Sequence, residues 1–248
     1  MSSFPDHFSR SAASYAAHRP TYPQSLYEWL ANAVKGHERV WDCGTGNGQA
    51  AVALTSYYSE VVATDPSHAQ LLNAVRHDRI RYAVMTAEAA ALASQSVDLI
   101  TVAQALHWFE LPRFYQEARR ILAPGGSLAV WTYNLISVTP EIDALIRAFY
   151  RVTLGGYWPK ERALVEVGYS GLNFPFDEQK TPTFEMERNW TLQQFSGYLE
   201  TWSAVSSYRD ANGESPVGRF VAGLRQAWGE DDTARRVTWP IELRLGTV

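Results

Sequence analysis

One cysteine, Cys43, is all that the 248 residues contain. A lone thiol closes no intramolecular disulfide, so a reducing cytoplasm is the expected location. Charge is also sparse, at 19% of residues, with a net charge of -4 and a pI of about 5.9. Nucleic-acid backbones are gripped by clustered Lys and Arg, so no nucleic-acid partner is expected. Long apolar runs are missing. The opening MSSFPDHFSR lacks the basic start and apolar stretch of a secretory signal. The longest uncharged run, Leu122 to Pro140, is broken by Pro124, Gly125, Gly126 and several hydroxyl residues. It reads as turn plus strand, so no membrane span is expected and a soluble chain is. The histidines, His7, His18, His37, His68, His77 and His107, form no metal-ligand spacing, and no metal is expected. No internal repeat or low-complexity linker divides the chain.

Hydrophobic residues reach 46%, enough for a sizeable core and against intrinsic disorder. Short apolar strands alternate with helical patterns, which predicts an α/β fold with a parallel sheet covered on both faces. The strands are Arg39–Asp42, Glu60–Asp65, Ile80–Met85, Ser96–Gln104 and the segment SLAVWTY that ends at Tyr133. Helices are expected over Gln24–Val34, Gly48–Tyr57, after Pro66 and from about Pro112. The pattern loosens from Asn134 to Lys180, where aromatic residues are frequent. TPTFEMERNW reads as a sixth strand, followed by helices over Leu192–Tyr208 and Pro216–Trp228. The end, VTWPIELRL, alternates as a strand, and Pro240, which has no N–H for a ladder, calls for an edge or a bulge.

The most informative stretch is VWDCGTGNGQA, Val40 to Ala50, with glycines at 44, 46 and 48 just after a strand. Glycines let the backbone turn tightly and approach a ligand, and the helix start that follows offers free N–H groups. A phosphate loop needs Lys-Ser/Thr after its last glycine, and Gln49-Ala50 is no such pair. A dinucleotide turn is spaced G-x-G-x-x-G, whereas this one is G-x-G-x-G and follows an acid, Asp42. An acid repels a pyrophosphate and favours a cation, which points to a ligand with an amino group and a sulfonium. The competing reading is a tight strand–helix turn that holds nothing. Asp65 closes the second strand 17 residues past Gly48, near the spacing at which a carboxylate takes two ribose hydroxyls. It could equally cap the helix behind Pro66.

DCGTGNG, VVATD, TAEAAALASQSVDLITVAQALHWF and RRILAPGGSLAVW resemble, in order, the successive motifs of class I S-adenosylmethionine-dependent methyltransferases. The opening FSRSAASYAAHRPTYP is similar to the N-terminal cap of a small-molecule branch that includes the trans-aconitate and ubiquinone-biosynthesis-type enzymes. The resemblance implies one Rossmann-like, doubly wound domain. Its sheet would be seven-stranded, mostly parallel with the last strand antiparallel, under a helical cap. N-terminal cap helices would fill 1–35, the cofactor core 36–133, a substrate-cap insertion 134–180, and the final strands and helices 181–248.

The implied cofactor is S-adenosylmethionine, with S-adenosylhomocysteine as product. Asp42, Gly44, Thr45, Gly46 and Gly48 would hold its methionine end and Asp65 its ribose. Thr86, Ala87 and Glu88 would line the adenine, although many relatives carry an acid where Thr86 stands. Gln104 would lie under the sulfonium, and Tyr15 and Arg19 would close over the cofactor. His107, just past the fourth strand, is the candidate general base, with a hydrogen-bonded structural histidine as the competing reading. Tyr22, Trp108, Trp131 and Tyr133 would wall an acceptor pocket, with core packing the alternative for Trp131. The expected function is methyl transfer to a small-molecule acceptor, an organic acid by the branch resemblance, in a monomer or homodimer. A non-catalytic cofactor-binding module and a nicotinamide oxidoreductase are the alternatives.

Overall fold

The structure is a computed structural model that describes residues 20–230 and 232–248. Helix α1, Gln24–Ala33, buries Leu26, Tyr27 and Leu30 on one face. Two strand–helix units follow, β1 (Arg39–Cys43) with α2 (Gln49–Leu54) and β2 (Glu60–Asp65) with α3 (His68–Leu72), and then β3 (Ile80–Val84) leads to β4 (Val97–Ala103) without a helix. α4 (Leu111–Ile121) returns to β5 (Leu122–Tyr133). The later chain holds α5 (Pro140–Ala148), α6 (Arg162–Glu166), β6 (Asp177–Gln179), β7 (Phe184–Trp190), α7 (Leu192–Glu200), α8 (Ser203–Asn212), α9 (Val217–Trp228) and β8 (Arg235–Thr247).

These strands form a Rossmann-like sheet in the order β3-β2-β1-β4-β5-β8-β6, with β7 also on β8. β1 to β5 run parallel and β8 runs antiparallel to each of its neighbours. The sheet has eight strands where the sequence predicts seven, because Asp177–Gln179 adds a short exposed strand opposite Leu245–Thr247. β1, β2 and β4 are buried almost throughout, as strands covered on both faces should be.

Two further expectations shift. The segment predicted as one helix from Leu192 to Tyr208 is two, α7 and α8, separated at Thr201 and Trp202. Thr201 turns its hydroxyl onto the Tyr198 carbonyl at 2.6 Å, and buried Trp202 carries extended backbone dihedrals. The fifth strand begins earlier than predicted, at Leu122. Val97 pairs with Leu122 and Leu99 with Ser127, so Ala123 to Gly126 bulge out of the β4 ladder.

Pro240 lies in an interior strand, and the register explains how. Ser137 and Thr238 exchange both backbone hydrogen bonds at 2.9 Å, so even-numbered N–H groups of β8 face β5. β5 itself ends at Tyr133, opposite Ile241. Position 240 therefore faces the irregular segment 134–136, where no ladder acceptor is needed, while its other side meets Glu185 in β7. Pro240→Glu should change unfolding free energy by less than about 1 kcal/mol, and Glu242→Pro, two residues on and opposite Thr132, should cost at least about 2 kcal/mol. Urea unfolding of the two variants checks this, and equal costs would contradict the register.

Candidate active site

β1 ends in a turn whose conformation is set by hydrogen bonds to β2 and by one buried acid. The Gly44 and Thr45 N–H groups both donate to the Thr64 carbonyl, at 2.8 and 2.9 Å. The Gly46 N–H donates to Asp65 Oδ2 at 2.9 Å, and the Ser67 N–H to Oδ1 at 2.8 Å. Asp42 is fully buried and accepts from the hydroxyls of Thr45 (2.5 Å) and Thr101 (2.7 Å). Burial raises its pKa to about 6, an effect that the two hydroxyls oppose and the charge of Asp65 adds to.

Beside this turn lies a cavity of about 810 Å³, within the range of small-molecule and cofactor sites. Its walls bring together Tyr22, Gly44, Thr45, Gly46, Asp65, Thr86, Ala87, Glu88, Gln104 and Trp108. Asp42 and Gly48 stand behind the turn rather than on the wall. Asp42 shapes the loop, and Gly48, at the start of α2, packs against the Tyr82 hydroxyl. Asp65 anchors the turn through Gly46 and Ser67, and Ser67, not Asp65, caps α3. Tyr15 and Arg19 lie outside the described residues.

A second cavity, of about 70 Å³, shares Gln104 and Trp108 with the first. It is lined further by His107, Tyr133, Trp158, Tyr198, Trp202 and Arg162. Gln104 carries a left-handed backbone, φ 56°, at the end of β4. It is held there by its amide, whose Nε2 donates to the Tyr133 carbonyl at 2.9 Å while Oε1 accepts from Tyr133 N and the Thr132 hydroxyl. Strain of this kind is kept where surrounding contacts over-determine the geometry.

Trp131 lines neither cavity. It is fully buried in the main core, edge-on to Tyr22 at 5.4 Å, so its place is the core-packing alternative.

His107 Nδ1 lies 2.8 Å from the hydroxyl of buried Tyr169. Burial, reinforced by the Arg162 charge, pushes its pKa down to about 3. The ring is thus neutral at physiological pH, but its conjugate acid is far too strong for efficient proton abstraction there. The Tyr169 hydrogen bond is the contact that the structural alternative for His107 calls for. Among the described residues, no group of three His, Cys, Asp or Glu side chains could hold a metal, and no helix is long and apolar enough to cross a membrane.

The sequence reading missed Arg162, Asn134, Trp158, Tyr198 and Trp202. Each sits in a segment without a recognisable motif, and only the excess of aromatics after Tyr133 signalled the second cavity.

Comparison with known proteins follows this geometry. Residues 41–130 match the family model described as "Methyltransferase domain". A protein of Dictyostelium discoideum named "Putative methyltransferase" is 34% identical over 233 residues, covering 92% of this chain and 89% of its own. This chain belongs to the class I S-adenosylmethionine-dependent methyltransferases. A solved structure titled as a "Putative Type II Methyltransferase" from Anaeromyxobacter dehalogenans is 44% identical, with a TM-score of 0.86 over 92% of this chain and 97% of that one. A "Probable S-adenosylmethionine-dependent methyltransferase" of Saccharomyces cerevisiae is 27% identical over 245 residues, 83% of either chain.

The methyltransferase cofactor is S-adenosylmethionine, and the larger cavity has the chemistry to hold it. A Cβ on Gly46 would meet nothing within 4 Å, which leaves an open cradle at the turn, and Asp65 offers carboxylate oxygens at the wall. Gly44 is different: its Cβ would lie 2.7 Å from that of Ala105. Both have positive φ, 72° for Gly44 and 57° for Gly46. Gly44→Ala should therefore lower the melting temperature clearly, whereas Gly46→Ala should cost only about 1 kcal/mol and mainly weaken S-adenosylhomocysteine binding. Calorimetry on both variants tests this, and a reversed pattern would overturn the assignment of the turn.

Asp42 generates a pH prediction. A carboxyl whose folded pKa, about 6, exceeds its unfolded value, 3.8, favours the fold while protonated, and that contribution is lost as pH rises through about 6. Between pH 4 and 7 the ligand-free protein should lose up to ~3 kcal/mol relative to Asp42→Asn. Urea unfolding at several pH values measures it, and parallel curves for the two proteins would rule it out.

Proposed function

We propose that this methyltransferase transfers its methyl group to a small organic acid held in the second cavity. The observation that supports it is Arg162. Its Nε donates to the Tyr150 hydroxyl and its Nη2 to Asn134 Oδ1, both at 2.9 Å. The guanidinium lies over the Trp158 ring, 5.1 Å from its centroid. Among the described residues it makes no salt bridge. The Tyr150 hydroxyl donates in turn to Glu166 Oε1 at 2.6 Å, so the neighbouring carboxylate is one hydroxyl away, and the half-buried guanidinium on the cavity wall suits a carboxylate, which accepts from it as a planar pair.

Bound S-adenosylmethionine supplies an electrophilic methyl group on a sulfonium. The protein's own residues do the rest by positioning. The Gly44–Gly48 turn and Asp65 seat the cofactor, and Gln104 and Trp108 form the wall where the two cavities meet. Trp108, Trp158, Tyr198 and Trp202 keep water from the acceptor. A carboxylate oxygen forms the new O–C bond as the methyl–sulfur bond breaks and its electron pair stays on sulfur. No proton moves, so no base is required, in keeping with the depressed pKa of His107.

The test is an acceptor screen with the purified protein, using aliphatic and aromatic carboxylic acids against matched amides, phenols and amines. Acids should be turned over to methyl esters. Arg162→Gln should then raise KM for the acid by about tenfold to a hundredfold, with S-adenosylhomocysteine affinity unchanged within twofold. Turnover of phenols or amines in preference to acids would overturn the proposal.

A further inference from the structure

Gln70 lines the cofactor cavity from α3 and is only 5% exposed. Its backbone N–H donates to the capping Ser67 hydroxyl at 3.4 Å. Its side-chain Oε1 is closed off from solvent and has no donor among the described residues. A buried amide oxygen without a donor is costly, by about 1–3 kcal/mol, and Gln70 borders the cavity, so a turn of its carboxamide would bring that oxygen to whatever fills it.

The neighbours narrow what that partner is. Asp65, five residues earlier, carries the carboxylate suited to ribose hydroxyls. The wall formed by Met85, Thr86, Ala87 and Glu88 completes this end of the cavity. Thr86, on the same wall, is exposed. Glu88 already accepts the Glu110 N–H at 2.9 Å. Gln70 is the buried carboxamide at this end of the cavity. A carboxamide matches an adenine edge as a pair, its oxygen accepting from the exocyclic amine and its NH2 donating to the adjacent ring nitrogen. Rotation about the last side-chain bond exchanges the two ends, so either can be turned to the cavity.

We propose that Gln70 is the adenine-reading residue of this enzyme, its carboxamide pairing with the amine edge of the base. The proposal rests on S-adenosylmethionine as cofactor. The experiment is calorimetric binding of S-adenosylhomocysteine and of its 6-deamino (purine riboside) analogue to the wild-type protein, Gln70→Leu and Gln70→Glu. Wild type should bind S-adenosylhomocysteine about tenfold more tightly than the analogue. Gln70→Leu should bind the two alike, no more tightly than wild type binds the analogue. Gln70→Glu, whose carboxylate still accepts, should keep the preference for the amine and guards against a loss of folding in the leucine variant. A preference unchanged within twofold in Gln70→Leu, or absent in the wild type, overturns the proposal. No binding of either compound to the wild type would instead overturn the cofactor assignment, and the proposal with it.

Discussion

The structure depends on one buried carboxylate. Asp42 joins three parts of the chain that are far apart in sequence or conformation: β1, on which it sits, Thr45 in the glycine turn, and Thr101 in β4. An acid deprived of water is expensive, and two hydroxyl donors return only part of the lost hydration. The cost is structural in its effect. With both oxygens committed to hydroxyls, the Thr45 side chain is drawn down behind the turn while the Gly44 and Thr45 N–H groups stay on Thr64 and the Gly46 N–H stays on Asp65. The open side of Gly46 then faces the cavity. An asparagine would present one acceptor and one donor to two hydroxyls, and the symmetric arrangement would be lost.

From that anchor the molecule divides its work along the chain. The parallel strands up to β5 build the donor side, where the glycine turn, Asp65 and Glu88 line the cavity. The chain after Tyr133 builds most of the second cavity, the proposed acceptor side, which is aromatic and carries a cation. Gln104 is the joint. It stands in both cavities, its backbone is strained, and its amide is spent on Thr132 and Tyr133 of β5. A side chain so fully occupied is a fixed wall, and it keeps the two sites in register without contributing a titrating group.

The sequence made the donor side legible because its signals are local. The strand, the glycine spacing, Asp42 and Asp65 all fall within Val40–Asp65, and short-range periodicity placed every parallel strand. The acceptor side was opaque for a physical reason. Asn134, Arg162 and Trp202 meet only after helices α5 to α8 have packed, and no spacing in the sequence encodes that meeting. Trp131 and Tyr133 illustrate the same limit. They point to one face of β5, yet Trp131 sinks under Tyr22 and Tyr27 while Tyr133, nearer the strand end, reaches the second cavity. Position along the strand, not residue type, separates them. Pro240 was a real signal with an unforeseen answer: the strand is interior, and it is the neighbour that ends.

Charge explains why the two sides must stay apart until substrates arrive. Asp42 is buried behind the donor turn, and Arg162 faces the acceptor cavity with no salt bridge among the described residues. Had the fold let such groups pair, neither would be left to favour a ligand of opposite sign. Gln104 and Trp108, both uncharged, fill the space between the two cavities. With a carboxylate acceptor, the reaction brings a sulfonium and an oxyanion together and leaves a neutral thioether and a neutral ester. Water stabilises the separated ions far more than the products, so an aromatic, water-poor wall raises the reactants relative to the charge-spread transition state. The tryptophans and tyrosines around Arg162 then do more than fit the acceptor's shape. With a carboxylate on Arg162 they would lower the local dielectric where two charges disappear, the electrostatic condition that such a transfer favours.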